Sequence, residues 1–177
     1  ERGDGFGFAL SAGARPVDTG DVRPIADLAV GVPREDVSSN TDAGAVTWLV
    51  GGVDGLSATG SRMFTQNNVG PGSSAEPGDL FGFALAMHDF NGGRVDVAPG
   101  ELDLAIGAPG EDVFDLVDAG VVNVVYNDWP LLDGRNVRFT QAGPGAGPER
   151  GDRYGSALAA TTIIANETTG NLAVGAP

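Results

Sequence analysis

The chain has 177 residues, a formal net charge of −14 from 24 acidic and 10 basic side chains, 29 glycines and no cysteine. These numbers exclude disulfides and thiolate metal sites. They also make nucleic acids and anionic membrane surfaces unsuitable partners, because both would repel so acidic a protein. Hydrophobic residues account for 41% of the chain, which is enough for a folded core, and no apolar run approaches the ~20 residues of a membrane-spanning helix.

The predicted elements are short β-strands separated by turns. In chain order, the segments FGFALSAG, ADLAVGV, GAVTWLVGG and MFTQ predict four strands, and FGFALAMHDF, LDLAIGA, GVVNVVYND and VRFTQ predict four more. They combine glycine and small residues with valine and aromatic residues, and the Gly, Pro, Asn and Asp clusters between them favour turns. Since no stretch has sustained apolar spacing of three and four residues, helix is expected to be nearly absent.

The same motifs recur in the same order with a period of about 75 residues. GDGFGFAL, GDLFGFAL and GDRYGSAL align with one another, as do LAVGVP, LAIGAP and LAVGAP. Such a period indicates a repeat architecture in which each unit packs on its neighbours. The predicted units are residues 1–77, residues 78–150 and a partial unit at 151–177.

Two Arg-Gly-Asp tripeptides, a sequence known as an integrin ligand, occur at residues 2–4 and 150–152. They occupy the place that Pro77-Gly78-Asp79 has in the second repeat. The shared element is Gly-Asp ahead of an aromatic residue, so a turn at each repeat boundary is favoured over a ligand motif.

An aromatic residue followed by glycine opens each repeat, and a Gly-x-Pro sequence closes its second strand. The pairs are Phe6-Gly7 with Gly31-Val32-Pro33, Phe81-Gly82 with Gly107-Ala108-Pro109, and Tyr154-Gly155 with Gly175-Ala176-Pro177. This arrangement resembles the FG-GAP repeat of integrin α-subunit propellers and of many bacterial secreted proteins. The resemblance covers nearly the whole chain. It implies an all-β fold of consecutive four-stranded antiparallel β-propeller blades.

The number of repeats does not close a ring. Two repeats and a third of another would leave apolar sheet faces open. We therefore expect an incomplete ring, either as a fragment of a longer chain or completed by other chains.

In FG-GAP repeats, the loop between the first two strands often carries Ca²⁺ on the pattern Asp-x-Asp/Asn-x-Asp-Gly-x-x-Asp. Closely spaced carboxylates provide the oxygen ligands that calcium needs. In the second repeat, Asp89 and Asn91 match the first two ligand positions, and Asp103 resembles the closing one. A glycine stands where the third acid belongs, and Asp96 or Glu101 in the inserted residues would substitute for it.

The calcium pattern is weaker in the other two repeats. The first lacks the Asp-x-Asn start but retains Asp18, Asp21 and Asp27, and the third has Asn171 at the closing position with Glu167 as its only acid. The alternative for every repeat is that these residues form turns without metal.

Catalytic residues are not predicted. The chain has one histidine, His88, no cysteine and no Gly-x-Ser-x-Gly sequence, so nucleophilic triads have no basis. The acids recur at equivalent positions, including Glu35-Asp36 and Glu111-Asp112, which is typical of loops in a scaffold. A paired-carboxylate hydrolase is the enzymatic alternative left open.

The resemblance therefore predicts a non-enzymatic binding or interaction module, extracellular or at the cell surface, with Ca²⁺ as a stabilising cofactor. Its expected partners are other proteins or further blades of the same parent chain, with a protein or glycan as ligand. Two alternatives are a structural or accessory subunit of a larger extracytoplasmic assembly and the non-catalytic domain of a larger secreted enzyme.

Overall fold

The structure is a computed structural model that describes residues 3–15, 25–70, 72–92, 102–126, 136–142, 147–163 and 169–177. It contains three antiparallel sheets. The first comprises β1 (Leu10–Arg15), β2 (Ile25–Val32), β3 (Ala45–Gly52) and β4 (Gly55–Phe64); the second, β5 (Ala84–His88), β6 (Asp103–Ala108), β7 (Val121–Val125) and β8 (Val137–Phe139); the third, β9 (Ala157–Thr161) and β10 (Asn171–Gly175).

Helix is nearly absent from the described residues, as the sequence predicts: a single 3-10 turn follows β4 at Gln66–Asn68. The all-β prediction is therefore confirmed. Within each sheet the strands follow one another in chain order, which suits short turns between strands that alternate in direction. In the part of the chain that is described, no helix has the length and apolar character needed to cross a membrane.

The three sheets share one pairing register at the start of each repeat. Gly7 N–H donates to the carbonyl of Gly31, Gly82 to Gly107, and Gly155 to Gly175, each at 3.0 Å. Each sheet begins with a pair of strands, and six residues after the first glycine of that contact the pairing is again equivalent. Gly13 lies opposite Asp27, His88 opposite Asp103, and Thr161 opposite Asn171. These contacts define which residues are equivalent in the three sheets.

The sheets pack on one another through their first strands. β1 contacts β5, and β5 contacts β9. We call the contact between the first and second sheets the first junction, and that between the second and third sheets the second junction. A Cβ on Gly31 would overlap the carbonyl of Gly82, and a Cβ on Gly107 would overlap that of Gly155. Only glycine permits backbone approach this close.

The main hydrophobic core fills the first junction. It includes Val46, Trp48 and Phe64 from the first sheet and Phe81 and Leu104 from the second, all at most 5% exposed. A smaller cluster at the second junction joins Val122 and Val124 to partly buried residues of the third sheet. Burial of about 25 cal/mol per Å² of apolar surface makes these two contacts the main stabilising interactions between the sheets.

The fourth strands differ from the predicted MFTQ and VRFTQ segments. β4 is ten residues long, begins at Gly55 and pairs with β3 through a tight turn after Gly52. Both fourth strands end at a phenylalanine, Phe64 or Phe139. In the first repeat the side-chain oxygen of Asn68 accepts the Thr65 N–H at 3.0 Å, which takes Thr65 out of the strand ladder and begins the 3-10 turn.

Candidate functional site

The predicted calcium loop of the second repeat begins as a turn held by two carboxylates. Oδ1 of Asp89 accepts the N–H of Gly92 at 2.7 Å and that of Asn91 at 3.2 Å. Oδ2 of Asp103 accepts the N–H of Phe90 at 2.8 Å. Asp89 and Asp103 are thus brought to the same hairpin mouth, where both stabilise the backbone of residues 89–92 by accepting its donors.

Burial and exposure differ within this loop. Asp103 is 1% exposed, at the first position of β6, whereas Asn91 lies on the exposed side of the turn. The Tyr126 hydroxyl lies near this site: burial, and secondarily the charge of Asp103, raises its pKa above the ordinary value. Asp96, the fourth predicted ligand, lies outside the described residues.

The equivalent loop of the first repeat uses its aspartate differently. Asp27 is 4% exposed. Its Oδ2 accepts the indole N–H of Trp48 at 3.1 Å and its Oδ1 accepts the N–H of Gly51 at 2.8 Å. Asp27 therefore ties β2 to β3 within one sheet. Asp18 and Asp21, the other predicted ligands of this repeat, lie outside the described residues.

Across the described ranges, no three side chains of His, Cys, Asp or Glu are grouped so that they could hold a metal ion. Of the predicted ligands, the structure brings Asp89 and Asp103 to one turn and places Asp27 in a separate sheet. The two carboxylates and the exposed turn amide fit the hard-oxygen preference of calcium, although they supply fewer ligands than the six to eight that it takes. Calcium binding stays a prediction.

A second group of polar side chains lies at the first junction; it includes Asp79 and Glu111, for which the sequence predicted only a boundary turn and a scaffold loop. Asp79 is 2% exposed and Glu111 is 5% exposed. Glu111 accepts a hydrogen bond from the amide of Gln66 and forms an ion pair with Arg138 at 2.5 Å. Arg138 also donates to the Gly72 carbonyl at 2.8 Å. The group therefore ties the end of the first repeat to the second sheet.

Burial makes both carboxylates of this group hard to ionise. The pKa of Asp79 is raised to about 7, chiefly by desolvation and further by the nearby charge of Glu111, while the Glu76 N–H bonded to its Oδ2 at 2.6 Å opposes the rise. Desolvation also raises the pKa of Glu111, and Arg138 opposes it. Acids with raised pKa values are common at functional sites, but they also occur in structural networks. Here the contacts of Glu111 with Gln66 and Arg138 join distant segments of the chain, which favours a structural network.

In the second sheet, the loop between β6 and β7 carries an exposed aromatic residue at its tip. Val113 and Leu116 exchange backbone hydrogen bonds at 3.1 Å, so Phe114 and Asp115 form a two-residue turn. Phe114 is 94% exposed and has φ 56°. In the first repeat the equivalent turn carries Ser38, with φ 61°. Oδ1 of Asp112 closes the loop by accepting the Asp118 N–H at 2.9 Å.

The predicted turns at the repeat boundaries are present. Gly78 and Gly151 have φ of 88° and 81°, and each donates its N–H to the preceding repeat, to the carbonyl of Thr41 or Val117. Oδ2 of Asp152 accepts the Glu149 N–H at 2.6 Å. The aspartate of the second Arg-Gly-Asp thus closes a turn, as Asp79 does in the second repeat.

Comparison with protein-family models and with curated proteins gives no match for this chain. The FG-GAP resemblance therefore rests on the sequence motifs alone.

Sequence reasoning missed the roles of Asp27 and Gln66, although signals for both were present. The closing aspartate persists in the first repeat, where the Asp-x-Asn start is missing, which indicates a structural use. The Phe-Thr-Gln sequence recurs at 64–66 and 139–141 beside no turn or motif that explains its glutamine. A polar residue that recurs directly after the fourth strand of each repeat is a candidate for a partner across the junction.

Proposed function

We propose that the chain is a non-catalytic binding module made of consecutive FG-GAP blades, presented at the cell surface or outside the cell. The architectural part is supported by one repeated contact. The glycine after the aromatic residue of one sheet lies against the Gly-x-Pro glycine of the preceding sheet at both junctions. A head-to-tail contact repeated between like units generates a closed ring or an open helix, and rings of short sheets are propellers.

The observation that carries the binding role is the tip formed by Phe114. A phenylalanine that is 94% exposed contributes nothing to the core. Its left-handed backbone costs about 1–2 kcal/mol relative to the right-handed region. Exposed aromatic side chains commonly serve as binding anchors. Exposed Asp112 and Asp115 flank the ring, so a partner with an apolar pocket rimmed by lysine or arginine fits it best.

This function is tested with a random-peptide phage library panned on the purified protein. Peptides that pair an apolar residue with Lys or Arg are expected to be enriched. Phe114→Ser, which installs the residue of the first repeat, is expected to weaken their binding at least tenfold. The matched control, Ser38→Phe, should leave affinity for the selected peptides unchanged. Enrichment that is equal on the wild type and on Phe114→Ser would remove Phe114 from the function.

A second candidate function, that of a structural or accessory unit within a larger assembly, has its own supporting observation. Phe6 and Leu10 of the first sheet are 71% and 62% exposed. Their equivalents, Phe81 and Leu85, are 0% and 8% exposed because they pack on the preceding sheet. A further blade of the same kind is the natural cover for that apolar face.

The assembly role is tested by measuring mass in solution by sedimentation. Self-association that Leu10→Asp abolishes is expected if this face is an interaction surface. A wild type that is monomeric at all concentrations, with stability unaffected by Leu10→Asp, contradicts it. The extracellular location and the alternative of a non-catalytic domain in a larger secreted enzyme follow from the family resemblance alone.

A further inference from the structure

A half-open cavity of about 290 Å³ lies at the second junction. The residues that line it include four aromatic ones, Phe90, Tyr126, Phe139 and Tyr154, together with the aliphatic Val124 and Leu172. Drug-sized ligands occupy cavities of about 300–1,000 Å³ with mostly apolar and aromatic walls. The size of this cavity therefore corresponds to a small ligand of one or two rings.

The first junction shows what fills the same space when it is closed. Val124 lies opposite Ala105 in the register that places Trp48 opposite Ala29. The indole of Trp48 is 5% exposed and meets the ring of Phe64 edge-on, with centroids 6.4 Å apart. At the second junction a valine, Val124, stands where that indole would be, and among the described residues no second indole fills the space beside Phe139, the equivalent ring.

One further exchange keeps the third sheet from refilling this space: the position of Met87 is taken by Ala160 in the same register. One residue before the paired strands, Gly170 stands where the second sheet has Leu102. Met87 and Leu102 are each 7% exposed in the core of the first junction. At Gly170 the ring of His88 takes the room that the Leu102 side chain has at the first junction, where Leu102 lies against Gly13, the residue equivalent to His88.

The chemistry of the walls selects a neutral ligand. None of the described residues that line the cavity is charged. Of these residues, Tyr126 and Tyr154 have polar side chains. Burial raises the pKa of both hydroxyls, so they are protonated at neutral pH and can donate hydrogen bonds. The rings offer faces and edges for stacking.

We propose that the second junction is a binding site for a neutral, planar bicyclic aromatic molecule, which occupies the space that the Trp48 indole fills at the first junction. This site is separate from the Phe114 tip and does not depend on the function proposed for that tip. A ligand of about ten heavy atoms reaches dissociation constants of roughly 0.1–1 mM.

The test uses indole and 2-naphthol as probes, with binding to the whole protein measured by saturation-transfer NMR and calorimetry. Saturable binding with one site per chain is expected. Val124→Trp introduces the residue that the first sheet has at the equivalent position, Trp48. Its indole should fill the cavity, so binding is expected to weaken at least tenfold. Val53→Trp makes the same change at a position that is 75% exposed, and it should leave affinity unchanged.

A second variant keeps the proposal testable if Val124→Trp does not fold. Tyr154→Phe, which restores the residue type of Phe81, removes one hydroxyl and is expected to weaken 2-naphthol about threefold while leaving naphthalene unaffected. Absence of saturable binding to the wild type overturns the proposal. So does binding that Val124→Trp and Val53→Trp change equally, because the ligand would then lie elsewhere.

Discussion

The two junctions are built from equivalent positions in the same register, yet one is a filled core and the other holds a half-open cavity. The difference begins at one position, where Trp48 stands in the first sheet and Val124 in the second. It extends to the aspartate below. Asp27 accepts the Trp48 indole N–H, whereas Asp103, with no indole above it, accepts the N–H of Phe90 in the hairpin turn.

This comparison shows how a repeat can keep its backbone while its side chains change use. The glycines that allow the sheets to approach are preserved at both junctions, because any Cβ there would overlap backbone. Side chains between the sheets are not fixed in this way. A large residue there stabilises the protein by burial, and a small one leaves space in which a ligand could bind.

Replacing the indole at the first junction gives the largest expected effect. Trp48→Val converts this position to that of the second junction and removes the hydrogen bond to Asp27. Loss of a buried indole and of its hydrogen bond together predicts a decrease in the free energy of unfolding of about 3–5 kcal/mol. Urea denaturation measures it, and the folded variant should bind a second indole. A loss below about 1 kcal/mol would show that Trp48 is not the residue that closes this junction.

Calcium is expected to distinguish the loop that holds Asp89 and Asp103 from the equivalent loop that holds Asp27. At a calcium concentration about 100-fold above the dissociation constant, a site present only in the folded state adds about 2.7 kcal/mol of stability. A partial site such as this one suggests a dissociation constant of ~10⁻⁴–10⁻³ M. Titration with up to ~10 mM calcium should raise the melting temperature, and Asp89→Ala should reduce that rise.

Two variants are the controls for the calcium titration. Asp27→Asn should lower stability without changing the calcium-dependent increment, because Asp27 is committed to Trp48 and Gly51. Glu167→Ala, which lies outside the described residues, should leave the increment unchanged. A melting temperature that is constant across millimolar calcium would make the 89–92 segment a turn only.

Much of the fold could be predicted from the sequence because strand and turn signals repeat. Because the same motifs occur three times, the sequence predicts both the all-β content and the equivalence of Gly31 with Gly107. The long β4 was not predicted, since GLSATGSRMF has little apolar alternation and pairs only because β3 lies beside it.

The site was less predictable than the fold. The partners of Asp27 and Glu111 lie 21 and 45 residues away in the chain, at Trp48 and Gln66, and no local pattern indicates such pairs. Whether an aspartate closes a metal loop or accepts an indole N–H depends on the neighbouring strand. The cavity could not be predicted from the sequence either, because the strand register is needed to show which residues of the three sheets are equivalent.

The buried carboxylate at the first junction predicts a pH dependence. The pKa of Asp79 is about 7 in the folded protein against an ordinary value of 3.8, so the folded state binds this proton more tightly than the unfolded state. Stability from this group is therefore fully present below pH ~4 and is lost as pH rises through about 7. Glu111, whose pKa is also raised, acts in the same direction.

Asp79→Asn removes the charge while keeping an oxygen for the Glu76 N–H. Compared with the wild type, we expect the variant to gain on the order of 2 kcal/mol more in free energy of unfolding at pH 8 than at pH 5. One pKa unit corresponds to about 1.4 kcal/mol, and water that reaches the charge reduces the full effect. Urea unfolding at the two pH values measures this difference. Asp152→Asn makes the same change in a half-exposed turn at the second junction and is the matched control. An equal effect of both variants at both pH values contradicts the prediction.

The smallest expected effect separates the two loop tips, where Ser38 and Phe114 share a left-handed backbone with φ of 61° and 56°. Glycine adopts this conformation without the cost of about 1–2 kcal/mol that other residues pay, but it loses about 0.5–1 kcal/mol of additional backbone entropy on folding. Ser38→Gly and Phe114→Gly are therefore both expected to raise the free energy of unfolding by up to about 1 kcal/mol. If the phenylalanine is kept for binding, only Phe114→Gly will weaken the selected peptides. A marked loss of stability in Phe114→Gly alone would instead mean that the ring stabilises the folded chain, and the binding role of the tip would have to be abandoned.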